Sequence, residues 1–497
     1  MTVLRLFLLA VALAAAFALS ACGGDDEAAS ALDEAVGYLP EDSGFAFIAS
    51  TDTEDYEDFE QLLDKFPFGG RVTDMLTQRL AAEGVDYEDD LKPLLGNYLV
   101  IGVADNASFT DSESDTPFVM ALETNDQDKL EELATTDTEE RGEAEGYDIY
   151  QGQQDDTWIA VKDEVVVLSN SEEELKAALE QRGEDDRLTE DDVEAAFEDL
   201  AEDAPLRAYV NVKALLAADP DTGDALKIKW VDHIETLGFA VDAHDDGVSL
   251  EYRLGTDPEG LTDEDLPLAA GAEAPQVFER EGDSAEIVLG LRDPSRVIEF
   301  GLAAAQAVDP AGFGQFEAGK EQIGKRLGID VDKDVIDQLT GDLQAVATLD
   351  GKFGLRASVE DAAAFERTLA KAMDGLPKFA DDVTVTEPAK GESLYGIATQ
   401  GGQTYTLGMA RGAFVFANDA ALAGDVATRR LVDADGQEGA LVAVADAERL
   451  ANEALAKFTS GLQAIGGGLF TGPLGDYTQS AAASTEGISG GIQLEIE

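Results

Sequence analysis

The chain has 497 residues, of which 44% are hydrophobic, and its 34 basic residues are outnumbered by 104 acidic ones, for a net charge of −70 at pH 7. This length exceeds one ordinary hydrophobic core and predicts two domains or more, while the apolar content excludes global disorder. A negative field of this size repels phosphate groups, which excludes nucleic acid and anionic lipid headgroups as partners. Three interpretations of the acidity stay open: a solvated surface, adaptation to high salt, or capture of cations or a basic partner.

The N-terminus is typical of an export signal. A short basic start with Arg5 precedes an uncharged apolar run over 6–19, which is marginal for a transmembrane helix of about 20 residues. The run ends in a sequence that resembles the bacterial lipobox, formed by Leu19, Ser20, Ala21 and Cys22. The resemblance implies cleavage before Cys22 and diacylglycerol on its thiol, so that 1–21 is a signal peptide. A signal without lipid is the alternative.

The lipobox also predicts where the protein resides. Cys22 is the only cysteine, so the chain has no intrachain disulfide and no C-x-x-C site. Residues 22–36 are predicted to be an acidic flexible tether, and no later segment has a transmembrane pattern. The sequence therefore predicts a lipid-anchored protein on the extracytoplasmic face of the cell membrane.

Beyond the tether, strand patterns alternate with blocks of helical periodicity. In chain order, the first half predicts strands near 45–50, 98–104, 117–123, 147–151, 157–162, 164–169, 206–212, 236–243 and 247–254. It predicts helices near 54–66, 70–82, 86–95, 126–136, 171–182 and 189–201. Short links between strands indicate antiparallel hairpins. The predicted fold class is therefore α+β, with mainly antiparallel sheet packed with helices.

Sequence similarity recurs at a spacing of about 245 residues, longer than the period of solenoid repeats. The similar segments are 84–103 with 328–347, 157–179 with 404–426, 207–216 with 442–450, and 247–254 with 491–497. We therefore predict two homologous units, 37–254 and 283–497. A linker over 255–282, rich in proline, glycine and acidic residues, is predicted to join them.

Single residues inside these segments predict equivalent local roles. Acidic residues are aligned at the starts of helices and glycines at their ends, where N-caps and C′ glycines are preferred. The aligned pairs are Asp86 with Asp330 as N-caps, Gly96 with Gly341 as C′ glycines, Trp158 with Tyr405, and Asn170 with Asn418.

The opening of the first unit carries a family resemblance. The lipobox, the acidic tether, the stretch YLPEDSGFAFIAS (38–50) and the two long α+β repeats together resemble an uncharacterised family of actinobacterial exported lipoproteins, known only as a domain of unknown function. The resemblance spans most of the mature chain and implies a location in the cell envelope. It implies no activity, cofactor or site residue.

Two short motifs suggest enzyme chemistry, but both lack the context that the chemistry requires. Gly487–Gly491 fits G-x-S-x-G, yet no histidine lies beyond His244, and we expect a glycine-rich hairpin turn there. Gly314–Lys320 approaches a phosphate-binding loop, but Glu321 stands where the motif needs serine or threonine, and a helical pattern precedes it.

The remaining polar groups predict no metal or catalytic centre. His233 and His244 are the only histidines, too few for a zinc or histidine-based site. The alternating carboxylates lack the spacing of an EF-hand loop; they lie at Asp219 and Asp221, at Asp330, Asp332 and Asp334, and at Asp433 and Asp435. We predict no catalytic residue, no metal and no cofactor.

These observations favour a non-catalytic, membrane-anchored module that binds a ligand or a partner in the cell envelope. Its expected partners are the membrane, through the N-terminal lipid, and either a small apolar ligand or an envelope protein. An acidic structural or scaffold protein at the cell surface is the alternative, and a carboxylate-dependent hydrolase is a further one.

Overall fold

The computed structural model describes residues 28–497 in two compact units, apart from several gaps. The gaps are 53, 68, 71–77, 79, 82–85, 104–105, 107–116, 137, 154–156, 202, 272, 281–284, 379, 381, 389–392, 435 and 459–470. Unit 1 runs to Thr222 and includes Ile234–Gly255 and Ile496–Glu497, and unit 2 comprises Gly223–His233 and Thr256–Glu495. Both units combine helices with antiparallel strands, which confirms the predicted α+β class.

Ten strands form the sheet of unit 1. They are β1 (Phe45–Ser50), β2 (Tyr98–Val103), β3 (Val119–Glu123), β4 (Thr138–Ala144), β5 (Tyr147–Gly152), β6 (Trp158–Lys162), β7 (Val165–Ser169), β8 (Leu206–Asn211), β9 (Ile234–His244) and β10 (Gly247–Thr256). Their order across the sheet is β4-β5-β6-β7-β3-β2-β1-β8-β9-β10.

The helices of unit 1 lie between these strands. They are α1 (Ala28–Val36), α2 (Glu57–Lys65), α3 (Gln127–Thr135), α4 (Glu172–Gln181), α5 (Glu190–Phe197) and α6 (Val212–Ala218). Shorter turns are a π-helix at Tyr87–Leu91 and 3-10 helices at Glu54–Tyr56 and Lys92–Leu94.

Unit 2 repeats the strand order of unit 1. After the short β11 (Val277–Phe278), its strands are β12 (Glu286–Arg292), β13 (Asp342–Thr348), β14 (Phe353–Ser358), β15 (Val383–Thr386), β16 (Leu394–Thr399), β17 (Thr404–Ala410), β18 (Ala413–Ala417), β19 (Leu431–Val432), β20 (Leu441–Asp446), β21 (Leu474–Ser484) and β22 (Gly487–Ile496). The main sheet runs β15-β16-β17-β18-β14-β13-β12-β20-β21-β22, and β11 pairs with β19 alone.

Most helices of unit 2 lie between β12 and β15. They are α7 (Lys229–Asp232), α8 (Pro294–Val308), α9 (Pro310–Leu327), α10 (Val331–Asp334), α11 (Ala362–Gly375), α12 (Ala420–Val426) and α13 (Ala447–Phe458). The 3-10 helices that are assigned to the unit wholly or in part are Pro220–Lys227, Asp263–Asp265, Ile336–Gln338 and Leu376–Lys378. No helix among the described residues is long and apolar enough to cross a membrane.

The sheet of unit 1 is covered by helices on both sides. On its first face, α1, α4 and α5 pack against strand residues such as Val100 and Ala121. On its second face, α3 packs through Leu130 against residues such as Leu99. Side chains alternate between the two faces along each strand.

Helix α1 corrects the predicted tether, because residues 28–36 are helical and belong to the core rather than to a flexible segment. Leu32 and Val36 are buried, and Asp33 and Glu34 form ion pairs with Arg187 and Arg182. Its apolar residues recur three to four positions apart, which is the period of a helix that buries one side. The predicted tether is therefore reduced to residues 22–27, which lie outside the described residues.

The unit boundaries also depart from the predicted ones. Gly223–His233 comes from the first half of the sequence but belongs to unit 2, where buried Trp230 meets Phe300 edge-on at 6.2 Å between ring centres. At the other end of the chain, Ile496 joins unit 1 and packs with Leu62 and Ala243. In both cases a large apolar side chain of the segment, Trp230 or Ile496, is buried.

Two of the four aligned residue pairs occupy equivalent places in the two units. Asp86 and Asp330 each accept a hydrogen bond from the backbone N–H three residues on, as N-caps do. Asn170 accepts from the N–H of Phe118 before β3, and Asn418 accepts from the N–H of Phe353 at the start of β14. The ends of the matched 207–216 and 442–450 strands agree too, since Asn211 and Asp446 each cap the following helix.

Two of the sequence alignments are wrong in register. Counted from the β6–β7 and β17–β18 hairpins, Trp158 corresponds to Thr406 rather than to Tyr405. A slip of one residue moves a side chain to the other face of the sheet. The alignment of 247–254 with 491–497 is shifted by four residues. Gly247 begins the strand after a two-residue turn in unit 1, and the glycine that does so in unit 2 is Gly487 rather than Gly491.

Candidate functional site

The residues of the predicted lipid anchor lie outside the described residues. Leu19, Ser20, Ala21 and Cys22 therefore stay a prediction from sequence. The first described element, α1, begins six residues after Cys22.

The structure places both enzyme-like motifs in regular elements. Gly487–Gly491 lies within β22 and not on a strand-to-helix elbow, so the expected hairpin turn is confined to the two residues before Gly487. Gly314–Lys320 lies inside the continuous helix α9, where no loop can wrap a phosphate. Lys320 forms ion pairs of 2.7 Å with both Glu317 and Asp332 along a cleft of about 660 Å³.

The structure assembles a serine, a histidine and an aspartate that sequence reasoning did not connect. Ser249 Oγ lies 3.3 Å from His244 Nε2, and His244 Nδ1 lies 3.5 Å from Asp242 Oδ2, across the β9–β10 hairpin. This is the order of a hydrolase triad. However, Ser249 is only 4% exposed, so a substrate carbonyl cannot reach its hydroxyl group, while the His244 side chain is 55% exposed to water. The constellation is a hairpin contact rather than a nucleophile site.

The other predicted polar residues also have local roles. Both nitrogens of the His233 ring lie within hydrogen-bond distance of backbone carbonyls, those of Lys229 and Glu259. At the start of α10, the N–H of Asp330 donates to the Asp334 carboxylate, and the Asp330 carboxylate accepts from the N–H of Lys333. Within the described ranges, no group of three or more His, Cys, Asp or Glu side chains is arranged to hold a metal ion.

The candidate site is the second face of the sheet of unit 2, which we call the open face. Strand pairing matches it to the face of unit 1 that α3 covers. Leu99 of β2 is paired with Leu122 of β3, and at the equivalent position of unit 2, Leu343 of β13 is paired with Ala357 of β14. Six of its apolar residues are half-buried or exposed, whereas Ala357 and Leu407 on the same face are buried. The six are Ile287, Leu289, Leu343, Phe353, Leu355 and Phe416.

Burial differs between the two matched faces at several large apolar positions. In unit 1, Leu99 is 1% exposed and Leu168 is 2% exposed. In unit 2, their counterparts Leu343 and Phe416 are half-buried, and Phe353 on the same face is 40% exposed. Large apolar residues in a folded core are usually fully buried, so a contiguous half-exposed row on a sheet marks a surface available for binding.

Three aromatic rings form a row along one end of the open face. Tyr405 stacks on Phe416 with 5.7 Å between ring centres and an interplanar angle of 17°. Phe416 in turn contacts Phe353, again at 5.7 Å. Cross-strand aromatic pairs stabilise a sheet and leave flat ring faces toward the surrounding space.

Helices α8, α9 and α11 leave this face incompletely covered. Helix α11 reaches the sheet through Phe365, whose ring meets that of Phe414 at 5.4 Å. Helix α9 buries only Gly324 and exposes Phe316 and Ile323 by 53% and 51%. Sequence reasoning missed the open face because its apolar strand pattern is the same as that of a filled core. The exposure of the apolar residues on α9 is seen only in the structure.

Comparisons with known proteins identify the family but no activity. A family model described as a protein of unknown function (DUF3352) matches residues 2–371, so the chain belongs to that family. No curated protein matches the chain. Solved structures of crystal forms III and I of TP0453 are 6% and 7% identical to it, each with a TM-score of 0.26; they cover 46% of this chain and 82% and 80% of theirs. A likeness this low carries no inference about fold or function.

Proposed function

We propose that this member of the family is a membrane-anchored extracytoplasmic lipoprotein that binds an apolar ligand without catalysing a reaction. The observation that supports the proposal is the open face of unit 2, where strand positions that are filled in unit 1 remain half-exposed. Covering apolar area stabilises a complex by about 25 cal/mol per Å².

The ligand is proposed to be neutral, with an alkyl or ring surface. The residues of the open face carry no ionised group, and a net charge of −70 disfavours the approach of an anionic ligand. The aromatic row of Tyr405, Phe416 and Phe353 offers flat contact area on rings that adjacent strands already fix in place.

A titration with a pyrene-labelled neutral alkyl ester tests this proposal. We expect saturable binding to the protein that begins at Gly23, and at least about tenfold weaker binding to Phe353→Asp, which places a charge on the open face. Phe316→Asp is the matched control, since Phe316 is more exposed but lies on α9 rather than on the sheet. Equal affinities for both variants would contradict an open-face site.

We also propose that the two units arose by duplication and then diverged. Their identical strand order and the matched caps at Asp86 and Asp330 support this. In this account unit 1 keeps a filled core, and unit 2 has given up part of its core to a binding surface.

The anchor is proposed at Cys22, on the basis of the lipobox. Cys22→Ala is expected to release the protein from membranes or to leave it with its signal uncleaved, because the acylated thiol would be missing. Gly23→Ala keeps the thiol and serves as the control. Membrane fractionation and mass measurement check the result, and a Cys22→Ala protein that fractionates and migrates like the wild type would remove the anchor from the account.

The acidic composition supports a second candidate, a scaffold that engages basic proteins or cations through exposed carboxylates. Exposed charges are screened over about 10 Å at 0.1 M salt, so such binding must fall steeply as salt rises. If a partner protein bound equally well at low and high salt, binding through the apolar open face would be favoured over binding through exposed carboxylates.

A further inference from the structure

The sheets of the two units begin with equivalent edge strands, β4 in unit 1 and β15 in unit 2, and these edges differ in character. Each is the first strand in the order of its sheet, and within the described residues each pairs with one neighbour, β5 or β16. An edge strand presents unpaired backbone groups to which a strand of another chain can bond. Soluble proteins therefore protect such edges with charges, bulges or covering segments.

Strand β4 carries this protection. Its sequence TEERGEA contains four charged residues, and Arg141 pairs with Glu139 at 2.9 Å. Its register with β5 shifts between Glu140 and Gly142, as it does at a bulge. Charged side chains and a bulge both oppose the addition of a further strand.

Strand β15 lacks these features. It reads VTVT, with no charged residue, and its register with β16 is regular over all four residues. Thr384 and Thr386 are exposed, and Val383 and Val385 are half-buried. Valine and threonine are β-branched residues, which favour the extended backbone of a strand. Of the two matched edges, only that of unit 1 is therefore protected by its own sequence.

The hydrogen bonds at the start of β15 show which of its backbone groups point away from β16. The N–H of Gln400 donates to the carbonyl of Asp382 at 3.0 Å, whereas the N–H of Val383 donates to Ala380 in the preceding turn, also at 3.0 Å. Residues of an antiparallel strand alternate between those that bond to a given neighbour and those that do not. The N–H and carbonyl of Val385 therefore point outward, and no hydrogen bond joins them to another described residue.

Two carboxylates lie at the two ends of this edge. Asp382 precedes β15 and Glu387 follows it; both are exposed, and neither forms an ion pair with a described residue. They favour cationic residues on both sides of an added strand. The net charge of −70 acts in the same direction, because it attracts basic segments and repels a second copy of this chain.

We propose that β15 is a docking edge for an extended basic segment of a partner protein, which adds to the sheet of unit 2 as a further strand. Backbone hydrogen bonds to Val385 hold the segment, and lysine or arginine residues around a β-branched stretch pair with Asp382 and Glu387. The proposal rests on the second candidate function for the charge of the partner, and it assigns that partner to one strand. It does not depend on a ligand at the open face.

Fluorescence anisotropy with a labelled heptapeptide, KVTVTVK, tests the edge. We expect saturable binding to the protein that begins at Gly23, and at least about tenfold weaker binding of EVTVTVE, whose charges are reversed. A KVTVTVK peptide that is N-methylated at two adjacent central residues loses one donor from each of its edges. It keeps both lysines and is also expected to bind at least about tenfold more weakly.

Two variants of one residue separate the backbone of β15 from its side chains. Val385→Pro removes the outward N–H and keeps the bonds to β16, since proline is tolerated where the N–H of an edge strand faces outward. We expect it to bind KVTVTVK at least about tenfold more weakly. Val385→Thr, the matched control, keeps the N–H and the β-branch and is expected to bind like the wild type. Denaturant unfolding reported by Trp230, which belongs to unit 2, checks that both variants fold.

The outcomes distinguish the edge from the candidate function on which it rests. Equal binding of KVTVTVK by wild type and Val385→Pro would overturn the edge and leave capture of basic partners by carboxylates in general. No binding of KVTVTVK to the wild type would overturn both. A dimer of the wild type in sedimentation that Val385→Pro dissociates would assign the edge to a second copy, and would also overturn the proposal. If Val385→Pro does not fold, the methylated peptide decides, because it leaves the protein unchanged.

Discussion

Units 1 and 2 share one strand order but use the two faces of the sheet differently. In unit 1, helices α1 and α3 seal opposite faces, and matched positions such as Leu99 and Ala121 are almost fully buried. In unit 2, Leu343 and Arg356 occupy those positions and stay half-buried. The comparison shows that strand alternation specifies the sheet, whereas the helices that cover each face determine whether it is core or surface.

The largest effect is expected at the buried ion pair of unit 2. The Arg429 and Glu286 side chains are 6% and 4% exposed, so Arg429→Met leaves a carboxylate buried without its partner. We expect unit 2 to lose about 3–5 kcal/mol, measured by denaturant unfolding with Trp230 as reporter.

The neighbouring Arg430 supplies the control for this pair. Its side chain is 73% exposed and pairs with Glu279, so Arg430→Met is expected to cost at most about 1 kcal/mol. Replacing Arg429 and Glu286 together by methionine should restore much of the stability. Equal costs for the two single variants would show that unit 2 has no tightly packed interior at this point.

Matched leucines test the comparison directly. Leu99→Ala removes a fully buried side chain and is expected to cost unit 1 about 2–5 kcal/mol. Leu343→Ala, at the equivalent position, removes a half-exposed side chain and is expected to cost unit 2 about 1–2 kcal/mol. Variants with one tryptophan each, Trp158 or Trp230, report the two units separately. Equal costs would mean that the open face is as filled as its counterpart.

The smallest effect is a contrast in pH dependence. The hydrogen bond from Arg187 lowers the pKa of Asp33 in unit 1 below its ordinary 3.8. Asp33 therefore stabilises unit 1 above pH 3.8, by up to about 1 kcal/mol, and this contribution is lost as the pH falls through the lower folded-state value. Burial raises the pKa of Asp342 in unit 2. Ionised Asp342 therefore weakens unit 2 at neutral pH, and the penalty disappears on acidification below 3.8.

Asparagine variants measure this contrast between pH 2.5 and 6. The stability of wild type relative to Asp33→Asn should rise with pH, whereas that of wild type relative to Asp342→Asn should fall with pH. Each difference compares proteins that share all other titrating groups. If both stability differences changed with pH in the same direction, the pKa values of Asp33 and Asp342 would not be shifted in opposite directions, and the contrast would be wrong.

Local signals made much of the fold predictable. The apolar alternation of FAFIAS predicts β1 with its observed bounds, and the N-caps at Asp86 and Asp330 are placed as expected. Such features depend on neighbours a few residues apart. Register across hairpins was less predictable. Sequence similarity aligned Trp158 of β6 with Tyr405 of β17, whereas strand pairing makes Thr406, one residue further along, the equivalent of Trp158.

The candidate surfaces could not be predicted, because coverage is a tertiary property. Residues 28–36 follow an acidic stretch and resemble a tether, and only the packing of Leu32 and Val36 shows that α1 seals unit 1. Likewise, Phe353 and Phe416 have the pattern of core residues. Phe353 and Phe416 become candidate binding residues because the described helices of unit 2 leave them partly exposed.

One measurement tests the central claim most directly: native mass spectra of the protein beginning at Gly23, after incubation with dodecanol, beside denaturing spectra. The account predicts a bound mass in the wild type and in Phe316→Asp that is lost on denaturation, and no bound mass in Phe353→Asp. A bare polypeptide mass for the wild type, or the same bound mass in all three proteins, would contradict the claim that the open face of unit 2 is a binding surface.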